Sequence, residues 1–392
     1  MPYDFDHVIE RRGTGSSKWH KYGPDVLPLW VADMDFASPE PVIQALRDRV
    51  EHGLFGYGHE SAAFNDIFVD RLYKRYGWQV SPEALVIVPG VVAAFNLACR
   101  SVAAPGDGIL LQTPVYPPML RVAGNLQAQM HAMTLTQQQD GQYGIDFDAF
   151  EAAISERTRV FLLCNPHNPV GRVFTHQELC HMAEICERHD LFICADELHC
   201  DLTFSGHQHV PIATLSPEIA SRTITLMAPS KTFNLAGLKC AVAIIPDADL
   251  RERFRAMRVD LVPNMVNIMG YTAAMAAYRD GQPWLDALLR YLESNRNHLT
   301  AYVQTHLPGV SMAPPEGTYL AWLDCRQAAM PHHDPQTFFL DRAHVALNDG
   351  KTFGKGGEGF VRLNFGTPQA LLQQALEQMH TALTNVREPG RG

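Results

Sequence analysis

The stretch TITLMAPSKTFNLAGLKC, residues 223–240, sets Lys231 just beyond an apolar run with the composition of a buried strand. Desolvation there favours the neutral amine, and a neutral amine is a nucleophile toward aldehydes. The alternative is a lysine on an exposed loop that only solvates the surface. Two more polar residues follow apolar runs in the same way, Asn168 in NPHNPVG and Asp196 in ADELH. Asp196 has the chemistry to ion-pair with a protonated pyridine nitrogen, and Asn168 to donate to a phenolate oxygen. An aldehyde cofactor built on a pyridine ring requires groups of those three kinds.

The elements that must position them are visible as alternating patterns. LVIV (85–88), VFLLC (160–164), LFICA (191–195), ITLMA (224–228) and AVAII (241–245) read as buried strands. Between the second and third lies THQELCHMAEICERHD, where Thr175 is placed to cap a helix and Leu179, Met182, Ala183 and Cys186 recur at helical spacing. Repetition of this strand–helix–strand unit predicts an α/β protein with a mostly parallel sheet covered on both faces. Ligands of such sheets sit beyond the carboxyl ends of the strands, so PGVV, NPHNPVG, DELH and PSK are expected at one edge. The end of the chain differs. LDALLRYLESNRNHLTAYVQTHL reads as a long helix, TYLAWLD and FVRLNF as short strands, and LLQQALEQMHTAL as a last helix, which predicts a smaller α+β domain. The expected boundaries are 1–47 for an N-terminal arm with part of the small domain, 48–283 for the large domain and 284–392 for the C-terminal small domain. A linker is expected near DGQPW (280–284), and REPGRG at the end reads as a loose tail.

Composition narrows the function classes. The chain has 392 residues, 46% hydrophobic and only 19% charged, the balance of a globular protein able to bury a deep site. A net charge of −10 without a long Lys/Arg cluster argues against a nucleic-acid partner. MPYDFDHVIERR lacks the apolar core of a signal peptide, and nowhere do about 18 apolar residues run together as a membrane span needs. The expected location is the cytoplasm. Eight cysteines without a C-x-x-C pair read as reduced core thiols. His199, His207 and His209 lie near Asp196, Glu197 and Cys200, but their spacing fits none of the usual zinc patterns, and no metal is expected. GKGGEG (354–359) lacks the G-K-[ST] ending of a P-loop and reads as a flexible loop at the site mouth. No G-x-G-x-x-G follows an early strand, which argues against a dinucleotide-binding dehydrogenase.

NPHNPVG, ADELHCDL and SKTFNLAG, with VRLNFG near the C-terminus, resemble pyridoxal-phosphate enzymes of fold type I, the aspartate aminotransferase-like fold. PLWVADMDF (28–36), TPVYPPM (113–119) and APSKTFNLAGL narrow the resemblance to carbon–sulfur β-lyases, the cystathionine β-lyases of the MalY/PatB type. It runs from about Leu27 to Gly366. It implies pyridoxal 5'-phosphate bound covalently by Lys231, with Asp196 at the pyridine nitrogen, Asn168 at the ring hydroxyl oxygen and Tyr116 stacked on the ring beside the substrate. In PGVVAAFNLACRSV a glycine precedes a helical segment, so the N–H groups of Val91 and Val92 are placed for the phosphate, with Ser230 and Lys239 beside them. Lys239 stands where this fold often carries an arginine, and Ala228 where many relatives have serine. Tyr57 in FGYGH resembles the tyrosine that reaches the phosphate of the neighbouring subunit, which implies a homodimer. Arg362 in VRLNF matches the guanidinium that binds the substrate α-carboxylate, with the backbone N–H of Ala32 as a further donor. His199 occupies the place of a tyrosine near the ring oxygen in many aminotransferases. The bland alternatives are a packed tyrosine at 116, a core histidine at 199 and, at 362, a surface charge on an alternating edge strand.

The implied reaction is β-elimination on cysteine S-conjugates such as L-cystathionine, giving a thiol (homocysteine), pyruvate and ammonia. An aminotransferase would use the same residues, and only the three narrowing stretches favour the lyase. A further alternative is additional regulatory binding of a transcription activator, which the resemblance brings with it because a relative in this group modulates one.

Overall fold

A computed structural model describes residues 3–261, 266–330 and 334–387. Its largest layer is a seven-stranded sheet. In chain order the strands are β1 (Leu85–Val88), β2 (Gly108–Thr113), β3 (Gln129–Thr134), β4 (Thr158–Cys164), β5 (Phe192–Asp196), β6 (Thr223–Met227) and β7 (Ala241–Ile244). In space they run β1-β7-β6-β5-β4-β2-β3. The neighbouring pairs among β3, β2, β4, β5 and β6 are parallel, while β7 runs antiparallel to both β1 and β6. The sheet is thus mostly parallel, with one reversed strand.

Continuous apolar runs make these strands because both faces of the sheet are covered. β1, β6 and β7 are buried at every residue. On one face lies helix α1 (Val91–Val102), which buries Phe95, Leu97 and Cys99. On the other lies α2 (His176–Arg188), which buries Leu179, Met182, Ala183 and Cys186. Thr175 caps α2 through a capping box, its hydroxyl accepting from Glu178 N–H while the Glu178 carboxylate accepts from Thr175 N–H.

After β7 come α3 (Ala248–Leu261), α4 (Ile268–Asp280), α5 (Gln282–His306) and α6 (Gln369–Arg387), with the strands β8 (Leu320–Asp324), β9 (Asn348–Asp349) and β10 (Phe360–Asn364) and a short helix, Pro335–Ala343, between α5 and α6. The strands form a second, antiparallel sheet with β10 in the middle. α5 and α6 pack in one core with it through Leu299, Val303, Leu372 and Leu376. The long helix begins at Gln282, inside the stretch expected to be a linker. Asp280 ends α4, Gly281 caps it, and a proline in the first turn of α5 fits a helix start. Of the expected tail REPGRG, Arg387 ends α6 and the residues beyond it lie outside the described ones. N-terminal residues Leu27 and Pro28 pair in parallel with Val345 and Ala346, which ties the start of the chain to its C-terminal part. All eight cysteines are free, and all but Cys180 are buried. No described helix is long and apolar enough to cross a membrane.

Candidate active site

Loops that follow β1, β2, β4, β5 and β6 open onto one cavity of about 380 Å³. Because β7 is reversed, the residues that lead into it, Lys239 and Cys240, reach the same edge. Asn168, Asp196, His199, Ser230 and Lys231 line this cavity with Val91, Val92 and Tyr116, and Ala32 and Arg362 enter it from outside the large sheet. Tyr57 stands apart, 99% exposed, in a separate surface recess near Val266. The 354–359 stretch, expected at the mouth, contributes no lining residue. Its Gly354 and Gly356 instead pack near Thr113, Leu120 and Thr134, behind the loop that carries Tyr116.

Lys231 sits on one short turn of helix, Pro229–Thr232, directly after β6. Its amine donates to the carbonyl of Ala32 at 2.5 Å. Although the cavity leaves part of the side chain accessible, the amine lies deep in the protein. Burial, followed by the nearby Arg362 charge, brings its pKa down to about 8 against the opposing pull of Asp33 and Asp196. A substantial neutral fraction near pH 8 is what a nucleophilic lysine requires.

Asp196 closes β5, and its carboxylate accepts one hydrogen bond, from Leu198 N–H at 3.2 Å. Burial raises its pKa to about 7. Leu198 N–H and the Lys231 charge oppose that rise, but no described cation stands within ion-pair distance, and a protonated ring nitrogen would supply the missing charge. His199 is buried too, with Nδ1 lacking a partner among the described residues. Burial, then the charges of Lys231 and Arg362, lowers its pKa to about 3, so the imidazole is neutral. A buried carboxylate with no ion-pair partner and an unpartnered imidazole nitrogen at one cavity wall fit a polar aromatic ligand better than they fit a packed core.

Asn168 uses Oδ1 to accept from Arg362 Nη1 at 2.9 Å, which leaves its amide N–H groups to donate. The preceding His167 is held between carbonyls, Nδ1 3.1 Å from Cys164 O and Nε2 2.8 Å from Pro114 O. Burial lowers its pKa to about 4, and a neutral imidazole donates to one carbonyl at a time. It joins the Asn168 loop to the loop of Tyr116, whose half-buried ring lies at the cavity wall. Burial and Asp196 push the Tyr116 phenol upward, so it stays protonated.

At the other end of the cavity, Gly90 takes φ 120° and ψ 155°, a conformation reserved for glycine. It stands at the N-cap of α1 without a capping side chain, so the first N–H groups of a 12-residue helix are free to face an anion. Ser230 and Lys239 line the same cavity.

Arg362 is 5% exposed on the middle strand of its sheet, so the edge-strand surface charge is excluded. Burial lowers its pKa to about 10, which leaves it charged at neutral pH. Besides Asn168, it donates through Nη2 to Trp30 O at 2.9 Å and Asn348 Oδ1 at 2.6 Å. Its buried Nε has no partner among the described residues. The edge that faces Asn348 is already engaged, so a carboxylate meets a partly used fork.

The sequence reading passed over Tyr319, whose hydroxyl donates to Ala32 O at 3.1 Å, and Asn348 and Asn364, which hold Arg362 and the 31–33 backbone. Asn364 had a signal, since it lies two residues from Arg362 and shares its face of the strand. Tyr319 and Asn348 had none.

Among known proteins, the chain is 41% identical over 388 residues to cystathionine beta-lyase PatB of Bacillus subtilis, a match covering 97% of this chain and 100% of that one. The crystal structure of OvoB superposes with a TM-score of 0.93 at 43% identity, covering 97% of this chain and 99% of the other. Cystalysin from Treponema denticola, a structure that contains a pyridoxal 5'-phosphate cofactor, superposes with a TM-score of 0.94 at 32% identity, covering 98% and 100%. With a family model matching residues 24–379, the chain belongs to the aminotransferase class I and II family.

Proposed function

We propose that the protein is a pyridoxal 5'-phosphate-dependent carbon–sulfur lyase acting on cysteine S-conjugates such as L-cystathionine. The observation that carries the reading is one cavity in which a buried lysine of lowered pKa and a buried carboxylate without a cation stand together. The similarity to a cystathionine β-lyase over 97% of the chain favours elimination over amino transfer.

The cavity fits the cofactor's groups. Val91 and Val92 N–H, Ser230 and Lys239 would hold the phosphate, Asp196 the pyridine nitrogen, Asn168 and His199 the ring oxygen, Tyr116 the ring face and Lys231 the aldehyde carbon. When bound, the cofactor supplies an electron sink for the amino acid's Cα. Arg362 and the Ala32 N–H bind the α-carboxylate and orient the substrate. Lys231, as a free neutral amine, accepts the Cα proton at Nζ. Asp196 would stay charged to hold a ring N–H. Loss of the β-sulfur substituent as a thiolate leaves an unsaturated amino acid, which takes up water to give pyruvate and ammonia. From L-cystathionine the thiol is homocysteine.

The active unit is a homodimer in which Tyr57 reaches the partner's phosphate site. Its exposure, beside Phe55 at 58% and Leu54 at 67%, supports a surface covered by a second copy. Residues 1–47 form an N-terminal arm with part of the small domain, 48–283 the cofactor-binding domain and 284–392 the C-terminal small domain, and the enzyme works in the cytoplasm.

The test is incubation of the cofactor-loaded protein with L-cystathionine and no added keto acid. Pyruvate and a free thiol in equal amounts are expected. Product that forms only when a keto acid is added would make the protein an aminotransferase.

A further inference from the structure

Asn364 is fully buried on β10, and its side chain meets the N-terminal segment rather than the cavity. Its Nδ2 donates to Val31 O at 2.7 Å and to Asp33 O at 2.9 Å, while Oδ1 accepts from Gly366 N–H at 2.8 Å. Val31 O also accepts from Asp33 N–H at 2.8 Å, which closes a tight turn centred on Ala32. The peptide between Val31 and Ala32 is trans, so its N–H points opposite to its carbonyl. With that carbonyl held by Asn364, the Ala32 N–H is turned away from Asn364, and no described residue accepts it. Val31, Ala32 and Arg362 all line the cavity.

We propose that Asn364 is a positioning residue for the substrate α-carboxylate. It fixes the Val31–Ala32 peptide so that the Ala32 N–H and the Arg362 guanidinium grip one carboxylate from two directions. Arg362 needs such a second donor, because three of its five N–H groups are spent on Asn168, Trp30 and Asn348. The role rests on the amino-acid substrate read above. A purely structural Asn364 would satisfy the same carbonyls without affecting one ligand more than another.

The two roles separate by carboxylate selectivity. Asn364→Ala and the milder Asn364→Ser are prepared as holoenzymes, and their visible absorption band without ligand reports whether the site is assembled. Spectral titration then gives the dissociation constants of L-alanine and L-alaninamide, which differ only in the carboxylate. For Asn364→Ala, alanine affinity is expected to fall about tenfold or more, the effect of a lost hydrogen bond to a charged group, while alaninamide changes less than about threefold. Asn364→Ser should lie between the variant and the parent. Equal losses for both ligands, no loss for either, or absence of the band from both variants would overturn the proposal. Arg362→Gln serves as the reference. If it keeps the parent's preference for alanine, the assignment of Arg362 to the carboxylate is what fails, a result distinct from failure of Asn364.

Discussion

The Lys231 amine meets the Ala32 carbonyl at 2.5 Å across 199 positions of chain, joining the loop after β6 to the N-terminal segment. That segment is held in place by charge. Arg11 bridges Asp33 at 2.8 Å and Asp35 at 2.7 Å, and the fully buried Lys18 meets Asp35 at 2.6 Å. Trp19 Nε1 donates to Asp35 at 2.8 Å. Lys231 is therefore oriented by an anchored backbone, with its pKa set by burial.

Lys231→Ala should abolish the visible absorption band of the holoenzyme and lower the elimination rate by roughly 10²–10⁴-fold, the range for a lost proton-transfer group. An unchanged spectrum would move the covalent anchor to another lysine.

With a pKa of about 8, Lys231 should titrate well below the usual lysine. In the cofactor-free protein, the rate of capture by a small aldehyde, followed at this residue by mass spectrometry, should rise through a midpoint near pH 8. A midpoint near 10.5, the ordinary value, would show that burial leaves the amine unperturbed.

Asp196 carries a stability signature of the opposite kind. Its folded pKa of about 7 lies above the ordinary 3.8, so between those values the folded chain binds more protons than the unfolded one. Its contribution to stability therefore falls as pH rises through that window. Cofactor-free Asp196→Asn should gain denaturant resistance over the parent at pH 8 and lose most of that gain at pH 4, as urea midpoints would record.

Behind the short turn that carries Lys231, Arg71 Nη2 pairs with buried Asp201 at 2.8 Å, and the Thr232 hydroxyl donates to the same carboxylate at 3.2 Å. Burial opposes the Asp201 charge, but Arg71 and Arg75 hold its pKa below the ordinary value. Arg71→Ala leaves that carboxylate short of its main partner and should cost about 3–5 kcal/mol in chemical denaturation. A loss below 1 kcal/mol would mean that Arg75 and Thr232 suffice.

Gly90→Ala forces a side chain into a glycine-only conformation at the start of α1, at a cost of about 1–3 kcal/mol. Because the strain falls at the proposed phosphate cradle, the cofactor's dissociation constant should rise along with it. Equilibrium dialysis against pyridoxal phosphate provides the measurement.

Much of the site was legible because each piece belongs to its own strand end. Lys231, Asp196 and Asn168 could be placed at one edge from apolar runs alone, without knowing which strand neighbours which. β3 was not legible as a strand: QMHAMT is an edge strand whose outer residues are exposed, so it lacks the apolar run that marks β1 or β6. The reversal of β7 was hidden too, since AVAI is buried on both faces whichever way it points. Tyr319 and Asn348 depend on the second sheet docking against residues 30–33, a long-range event that leaves no local pattern. Arg362 was the mixed case. Its alternation V-R-L-N-F suits an exposed edge, and only its place between β8 and β9 makes it central.

The reversed β7 makes residues 228–240 a single cassette. The chain leaves the rim of the site with Lys231 and returns to it with Lys239 before entering the sheet again. A graft of that cassette from a relative would exchange the surroundings of the proposed covalent anchor and one proposed anion contact together, while every strand kept its register. Specificity in such a scaffold can drift in blocks rather than residue by residue.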